Sequence, residues 1–228
     1  MTMKRNFMRV AGLLAISGLL GACTSAPAKF QTGPDAETTF DGLVRVDNTV
    51  LSKVWARPDT ELTEYTKVLP VVTGVQFRPA KKVYASSARR TNQENFPLSD
   101  AEKERFEIAV KETFQEEFAK SEKFELTDQP GDDVLLIRVE ILDVASNLPP
   151  DAPGQTLYVR TIGEAGLVLE VFDSKGKQIL LRAADRRAFT FPGDQIRMTS
   201  RGLTASQVKN GLRGWARVLV KGLDSIKE

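Results

Sequence analysis

One side chain in this 228-residue sequence stands apart chemically: Cys23, the only thiol. A single cysteine cannot form an internal disulfide or a cysteine cluster. The sequence contains no histidine, which removes the commonest general base and every Ser-His, Cys-His or His-zinc site. Acid–base chemistry is left to carboxylates, Lys, Tyr and Ser. A carboxylate pair can be drawn from Asp132, Asp133, Glu140 and Asp143, but nothing in the sequence fixes a separation. Arg138 and Glu140 more simply decorate the solvent face of a strand. Phosphate-loop, dinucleotide, EF-hand and zinc signatures are all missing. The expectation is a non-enzyme with no cofactor, no metal and no catalytic residue.

Two charged groupings are candidates for binding. Arg78, Lys81, Lys82, Arg89 and Arg90 concentrate positive charge in one polar stretch, a possible site for lipid phosphates or an anionic glycan. The bland alternative is a solvated loop. Asp185-Arg186-Arg187 is the second grouping. Asp185 shares the parity of Ile179, Leu181 and Ala183, so it should point toward the core, where a carboxylate needs a partner. Arg187 is the expected partner in a structural ion pair, with a binding site as the lesser alternative.

The setting of Cys23 gives its chemistry. Lys4, Arg5 and Arg9 precede an uncharged run from Val10 to Leu20, the pattern of an export signal too short for a stable membrane anchor. Leu20-Gly21-Ala22-Cys23 resembles the bacterial lipobox. That resemblance implies cleavage before Cys23, a diacylglyceryl group on its sulfur and a fatty acyl group on the new amine. In such lipoproteins an Asp after the cysteine commonly retains the chain at the inner membrane; Thr24 therefore implies the outer membrane, with the periplasmic face expected. Three of the 32 basic side chains lie in the signal, so the remainder carries 29 against 30 acidic ones. That balance does not support a nucleic-acid footprint.

Residues 1–22 read as signal peptide and 23–40 as a lipidated flexible tether, rich in Thr, Ser, Ala, Pro and Gly. About seventeen residues of coil reach roughly 20–25 Å. Residues 41–228 read as one domain. Phe40 to Pro58 is expected to be a strap with a short helix from Val50 to Trp55. Tyr65 to Phe77 is a first strand, irregular or at an edge where Pro70 removes a donor. Ser99 to Glu102 form a capping box, opening a helix whose apolar stripe is Phe106, Ala109, Val110, Thr113, Phe114 and Phe118. Strands follow at Val134–Val144, Tyr158–Phe172 and Gln178–Phe189. Asn147 to Gln155, with three prolines, is either a recognition loop or a connector. A last helix is capped at Thr204 and carries Val208, Leu212, Trp215, Leu219, Leu223 and Ile226 on one stripe.

With Gly176 left-handed in the last hairpin, Val171 should face Ile179, Leu169 face Leu181 and Glu164 face Arg186. Gly211, Gly214 and Gly222 in the last helix imply close approach of the sheet or of another subunit. The resulting class is α+β: a mixed, mainly antiparallel sheet of about four or five strands, two amphipathic helices on one face, in the order β-α-β-β-β-α.

Asp41-Gly42-Leu43, Tyr65-Thr66-Lys67-Val68-Leu69, Gly163-Glu164-Ala165, Asp173-Ser174-Lys175-Gly176 and Asp185-Arg186-Arg187 resemble an uncharacterised bacterial lipoprotein family, domain of unknown function 3313. The resemblance implies a lipoprotein address and a single domain, with no activity to carry over. The functional expectation is an outer-membrane lipoprotein that serves as a tethered periplasmic module for protein interaction or envelope assembly. The alternative is a protein that binds an anionic envelope lipid or glycan through the basic loop.

Overall fold

The longest apolar alternations of the chain lie side by side at the centre of one sheet. The structure is a computed structural model, and it describes residues 26–58, 60–80, 95–148, 158–198 and 201–226. Its long elements are β4 (Lys67–Phe77), α1 (Asp100–Phe118), β6 (Val134–Ser146), β8 (Thr161–Asp173), β9 (Ile179–Thr190) and α2 (Arg201–Ile226). They follow the expected order. Six short strands complete it: β1 (Lys29–Phe30), β2 (Val44–Asp47), β3 (Lys53–Ala56), β5 (Glu125–Leu126), β7 (Tyr158–Val159) and β10 (Arg197–Met198).

The main sheet has eight strands in the order β1-β2-β3-β9-β8-β6-β4-β5, with β7 and β10 forming a separate two-stranded ribbon. The α+β class and the single helical face therefore hold, and the strand count of four or five is too low. β4 runs parallel to β6 through the α1 crossover, whereas β6, β8 and β9 form an antiparallel meander. Leu135, Ile137, Val139 and Ile141 of β6 are fully buried, as are Ala165, Leu167, Leu169 and Val171 of β8 to within a few per cent. Each such large apolar side chain contributes about 1.5–3 kcal/mol by leaving water.

α1 starts at the expected capping box: the Ser99 N–H donates to the Glu102 carboxylate at 2.8 Å. It buries Val110, Thr113, Phe114 and Phe118. α2 begins at Arg201, three residues before the expected cap at Thr204. It buries Leu212, Trp215, Ala216, Leu219, Val220 and Leu223 against the sheet and α1. An aromatic series, Phe77, Phe106, Phe189 and Trp215, crosses the core in edge contacts with centroids 5.9–6.5 Å apart.

Three further expectations change. The strap helix at Val50–Trp55 is a β-hairpin: β2 pairs with β3, and β3 extends the sheet along β9. Without it β9 would be an open edge, so pairing overrides a weak local pattern. The tether of residues 23–40 is shortened, because Lys29–Phe30 pair with Val46–Asp47. In the last hairpin Val171 faces Leu181, Leu169 faces Ala183 and Glu164 faces Ala188. That is a slip of two residues, which preserves the facing of every side chain. Lys177, not Gly176, takes the left-handed position with φ 54°, and a register shift between Val171 and Phe172 absorbs the rest.

Pro70 sits where β4 has β6 on one side only, since β5 covers just Lys67 and Val68. Register shifts after Val72 and Val75 distort the remainder of that edge. Both devices blunt an exposed strand edge.

Candidate functional site

The chemistry-bearing candidates fall into three places. Leu20, Gly21, Ala22 and Cys23 lie outside the described residues, as do Lys81, Lys82, Arg89 and Arg90 of the basic loop and Pro149 to Pro153 of the proline-rich one. Of the expected anion ligands only Arg78 is described, and its Nε and Nη2 are engaged by carboxylates. It sits one residue past β4, where a bulge between Leu142 and Ala145 turns β6. The bulge puts Asp143 at φ 52°, a conformation that Asp tolerates better than most residues.

Arg78 donates to Asp143 through Nε at 2.7 Å and Nη2 at 2.5 Å, and its Nη2 also lies 2.7 Å from Glu164. Arg186 closes the cluster, reaching Asp143 and Glu164 at 2.8 Å each. Two arginines and two carboxylates form a neutral ring. The Arg78 hydrogen bond, with Arg186 behind it, holds the Asp143 carboxyl well below the usual carboxylate range. Partial burial pushes Glu164 up, but Arg186 and Arg78 outweigh it and its carboxyl is also lowered. The hydrogen bond to Asp143 drives the Arg78 guanidinium further up. Groups so firmly ionised have no proton to exchange near neutrality.

Beside this ring a shallow cleft of about 190 Å³ lies between Phe77, Asn95, Phe96 and Leu98. It is smaller than the roughly 300 Å³ at which small-molecule pockets begin. Asn95 in its wall is already bound to the Pro79 carbonyl at 2.9 Å, and Lys103 to Asp100 at 3.0 Å.

The second place is under the helices. Asp185 points inward with its side chain 7% exposed and receives Arg187 Nε at 2.9 Å, Trp215 Nε1 at 2.7 Å and the Ser52 N–H at 3.2 Å. The Ser52 hydroxyl donates to it as well. Burial pushes this carboxyl up, yet the Ser52, Trp215 and Arg187 hydrogen bonds together hold it below its ordinary value. Between the helices Glu117 is 3% exposed and takes Lys120 at 2.6 Å, Arg213 at 3.2 Å and Arg217 at 3.2 Å.

The third place is the sheet face opposite the helices. Across it Arg138, Glu170 and Arg182 are neighbours on β6, β8 and β9, and Arg182 continues to Asp41 at 2.9 Å. Arg138 lies over the Phe172 ring at 5.5 Å. No group of three or more acidic or sulfur ligands suited to a metal occurs among the described residues. Nor, among them, is any helix long and apolar enough to cross a membrane.

The family model "Protein of unknown function (DUF3313)" matches residues 38–219. The chain belongs to this family. No curated protein matches it. Solved structures give only loose likenesses. One is protein XCC0632 from Xanthomonas campestris, of family model DUF330, with 11% identity, TM-score 0.41 and coverage of 75% of this chain and 90% of that one. Another is a PelC dodecamer from Paraburkholderia phytofirmans, with 12% identity, TM-score 0.32 and coverage of 73% and 95%. Neither carries a functional argument.

In this DUF3313 member the short stretches that carried the resemblance have structural jobs. Asp41 holds Arg182, Gly42 turns the chain at φ +82°, and Leu43 is fully buried. Lys67 pairs with Asp133 at 3.0 Å. A side chain on Gly163 would collide with the Ala145 carbonyl opposite the β6 bulge. Sequence reasoning did not find Glu117 or the Arg78–Asp143–Glu164–Arg186 ring. Glu117 stands four residues after Thr113 on the apolar stripe of α1, which was the available signal.

Proposed function

We propose that this DUF3313 protein is an outer-membrane lipoprotein, anchored by acyl chains on Cys23, whose domain is a non-enzymatic periplasmic module that docks a protein of the envelope. The observation that supports this reading is the sheet face opposite the helices. Both helices pack on the other face, so Leu136, Val168 and Phe172 stay half-buried and Arg138 exposed on this one. Arginine and aromatic side chains interleaved with apolar ones are what protein interfaces are built from. Among the described residues, the carboxylates with displaced protonation are all lowered, held ionised by basic groups, hydroxyls or, at Asp185, an indole N–H as well, rather than raised toward neutrality as a general acid requires.

Crosslinking of the acylated protein in intact cells tests the docking. The expected result is one reproducible envelope protein whose recovery falls in Arg138→Glu and Phe172→Ala. Recovery of lipid or glycan alone, or of a partner indifferent to both changes, would overturn it. Cys23→Ser should abolish fatty-acid labelling and release the protein from membranes; a serine variant that still took label would remove the anchor.

A further inference from the structure

The strand directions collect several features at one end of the sheet. β4 ends at Phe77 beside Val144 near the end of β6, while β8 begins at Thr161 opposite Thr190 at the end of β9. The β7–β10 ribbon continues from that end. β1 opens at Lys29 opposite Asp47, and β3 opens at Lys53 opposite Ala184, midway along β9, so the chain before β1 is directed toward that end. Pro27, just before β1, accepts a hydrogen bond from Asn48 Nδ2 at 3.2 Å. The N-terminal segment therefore joins the domain from the side on which the ribbon lies. The opposite end of the sheet holds Tyr65, residues 126–134 and the hairpin turn at Asp173–Lys177.

Six backbone steps lead from Cys23 to Lys29, a span of at most about 20 Å. With an anchor on Cys23, on which this inference rests, the ribbon end is the end of the sheet turned toward the bilayer, and long excursions are excluded. The ribbon itself is suited to that position. Met198 and Tyr158 are cross-strand partners, and Ile196 shares the parity of Met198, so the three lie on one side. They are 57%, 65% and 58% exposed. Their strand neighbour Val159 is turned into the core at 5%. Such a group of exposed large side chains on so small an element marks a contact surface. Arg160 shares the parity of Tyr158, and Arg197 is the partner of Val159 on the other side of the ribbon; both are exposed. An aromatic-apolar tip with an arginine collar matches the chemistry of an anionic lipid surface.

We infer that the β7–β10 ribbon is a second membrane contact: Tyr158, Ile196 and Met198 enter the headgroup region of the phospholipid leaflet that holds the acylated Cys23, with Arg197 at the level of the lipid phosphates. The domain then stands on the membrane in one orientation, with the Asp173–Lys177 turn farthest from it.

The test uses the full acylated protein reconstituted into phosphatidylethanolamine–phosphatidylglycerol vesicles. Acylation consumes Cys23, so Met198→Cys or Lys175→Cys supplies the only free thiol for an environment-sensitive fluorophore. Quenching by a nitroxide-bearing lipid should be several-fold stronger at position 198 than at position 175, and Tyr158→Asp with Ile196→Asp should abolish the difference. Equal quenching at the two positions would overturn the inference. The mass of the same preparation reports acylation separately: an unmodified Cys23 would overturn the anchor reading, and the same two labelled positions in a Cys23→Ser background would then decide the ribbon, equal quenching again overturning it.

Discussion

Trp215 Nε1 donates to Asp185 Oδ2 at 2.7 Å, and the same oxygen accepts Arg187 Nε at 2.9 Å. Helix α2 is thus pinned to β9 by a charge that both elements help to satisfy, and Arg187 also lies over the Trp215 ring at 5.6 Å. The pair is weak evidence for stability in itself, but removing one member leaves the others stranded. Asp185→Ala is expected to lower unfolding stability by about 3 kcal/mol. Asp185→Asn, which retains an acceptor, should lose less. Denaturant midpoints at neutral pH, at unchanged m-value, check this; equal midpoints for both variants and the parent would refute it.

The arginine–carboxylate ring sets an acid limit. Asp143 and Glu164 are lowered in the fold, so their contribution is complete above the unfolded carboxylate values of about 4 and is lost as pH falls through the folded ones. Thermal stability should therefore decline on acidification below about pH 4. Asp143→Asn should be less stable than the parent at neutral pH, with the gap closing in acid as the parent loses the same charge. A gap that stayed constant from pH 7 to pH 2 would show the ring to be energetically silent.

The register of the last hairpin shows where sequence information ran out. Alternation in Leu167, Leu169 and Val171 gave the buried face, and parity placed Asp185 inward, because one face of a sheet is either covered or not. The pairing partner was off by two, since the chain uses Lys177 for the left-handed turn and a side chain on Gly176 would crowd Asp173. β1, β2 and β3 were illegible for another reason. They are two to four residues long, and only the edge of β9 makes them strands. The Arg78–Asp143–Glu164–Arg186 ring depends on a β-bulge that brings distant charges together. Arg78 alone looked like a ligand for an external anion.

Glycines in α2 should respond with opposite signs. A Cβ on Gly211 would drive into the Phe189 ring, whereas one on Gly222 meets no atom of the described residues within 4 Å. Gly222→Ala should stabilise by up to about 1 kcal/mol through helix propensity. Gly211→Ala should lose about 1–3 kcal/mol to overpacking, exceeding the same propensity gain. Thermal unfolding of the two variants suffices, and a stabilised Gly211→Ala would contradict the close packing.

Thr113 is fully buried in α1, and its hydroxyl has no hydrogen-bond partner among the described residues. An unsatisfied buried hydroxyl costs about 1–3 kcal/mol. Thr113→Val keeps the shape and removes the polar atom, so it should raise stability by about 1 kcal/mol. A drop in the denaturant midpoint would mean that the hydroxyl is satisfied in solution.

The strand order also dictates a sequence of events in folding. β3 pairs with β9, whose partner residues come about 130 positions later (Lys53 with Ala184), and β4 must wait for β6. A lone two-stranded hairpin is marginal in water, so β2 and β3 have nothing to add to until the meander of β6, β8 and β9 has assembled. Closing such long loops is slow compared with hairpin formation. The N-terminal third of the domain is therefore made first and folds last, and β1, β2 and β3 stay unpaired while the rest of the chain takes shape.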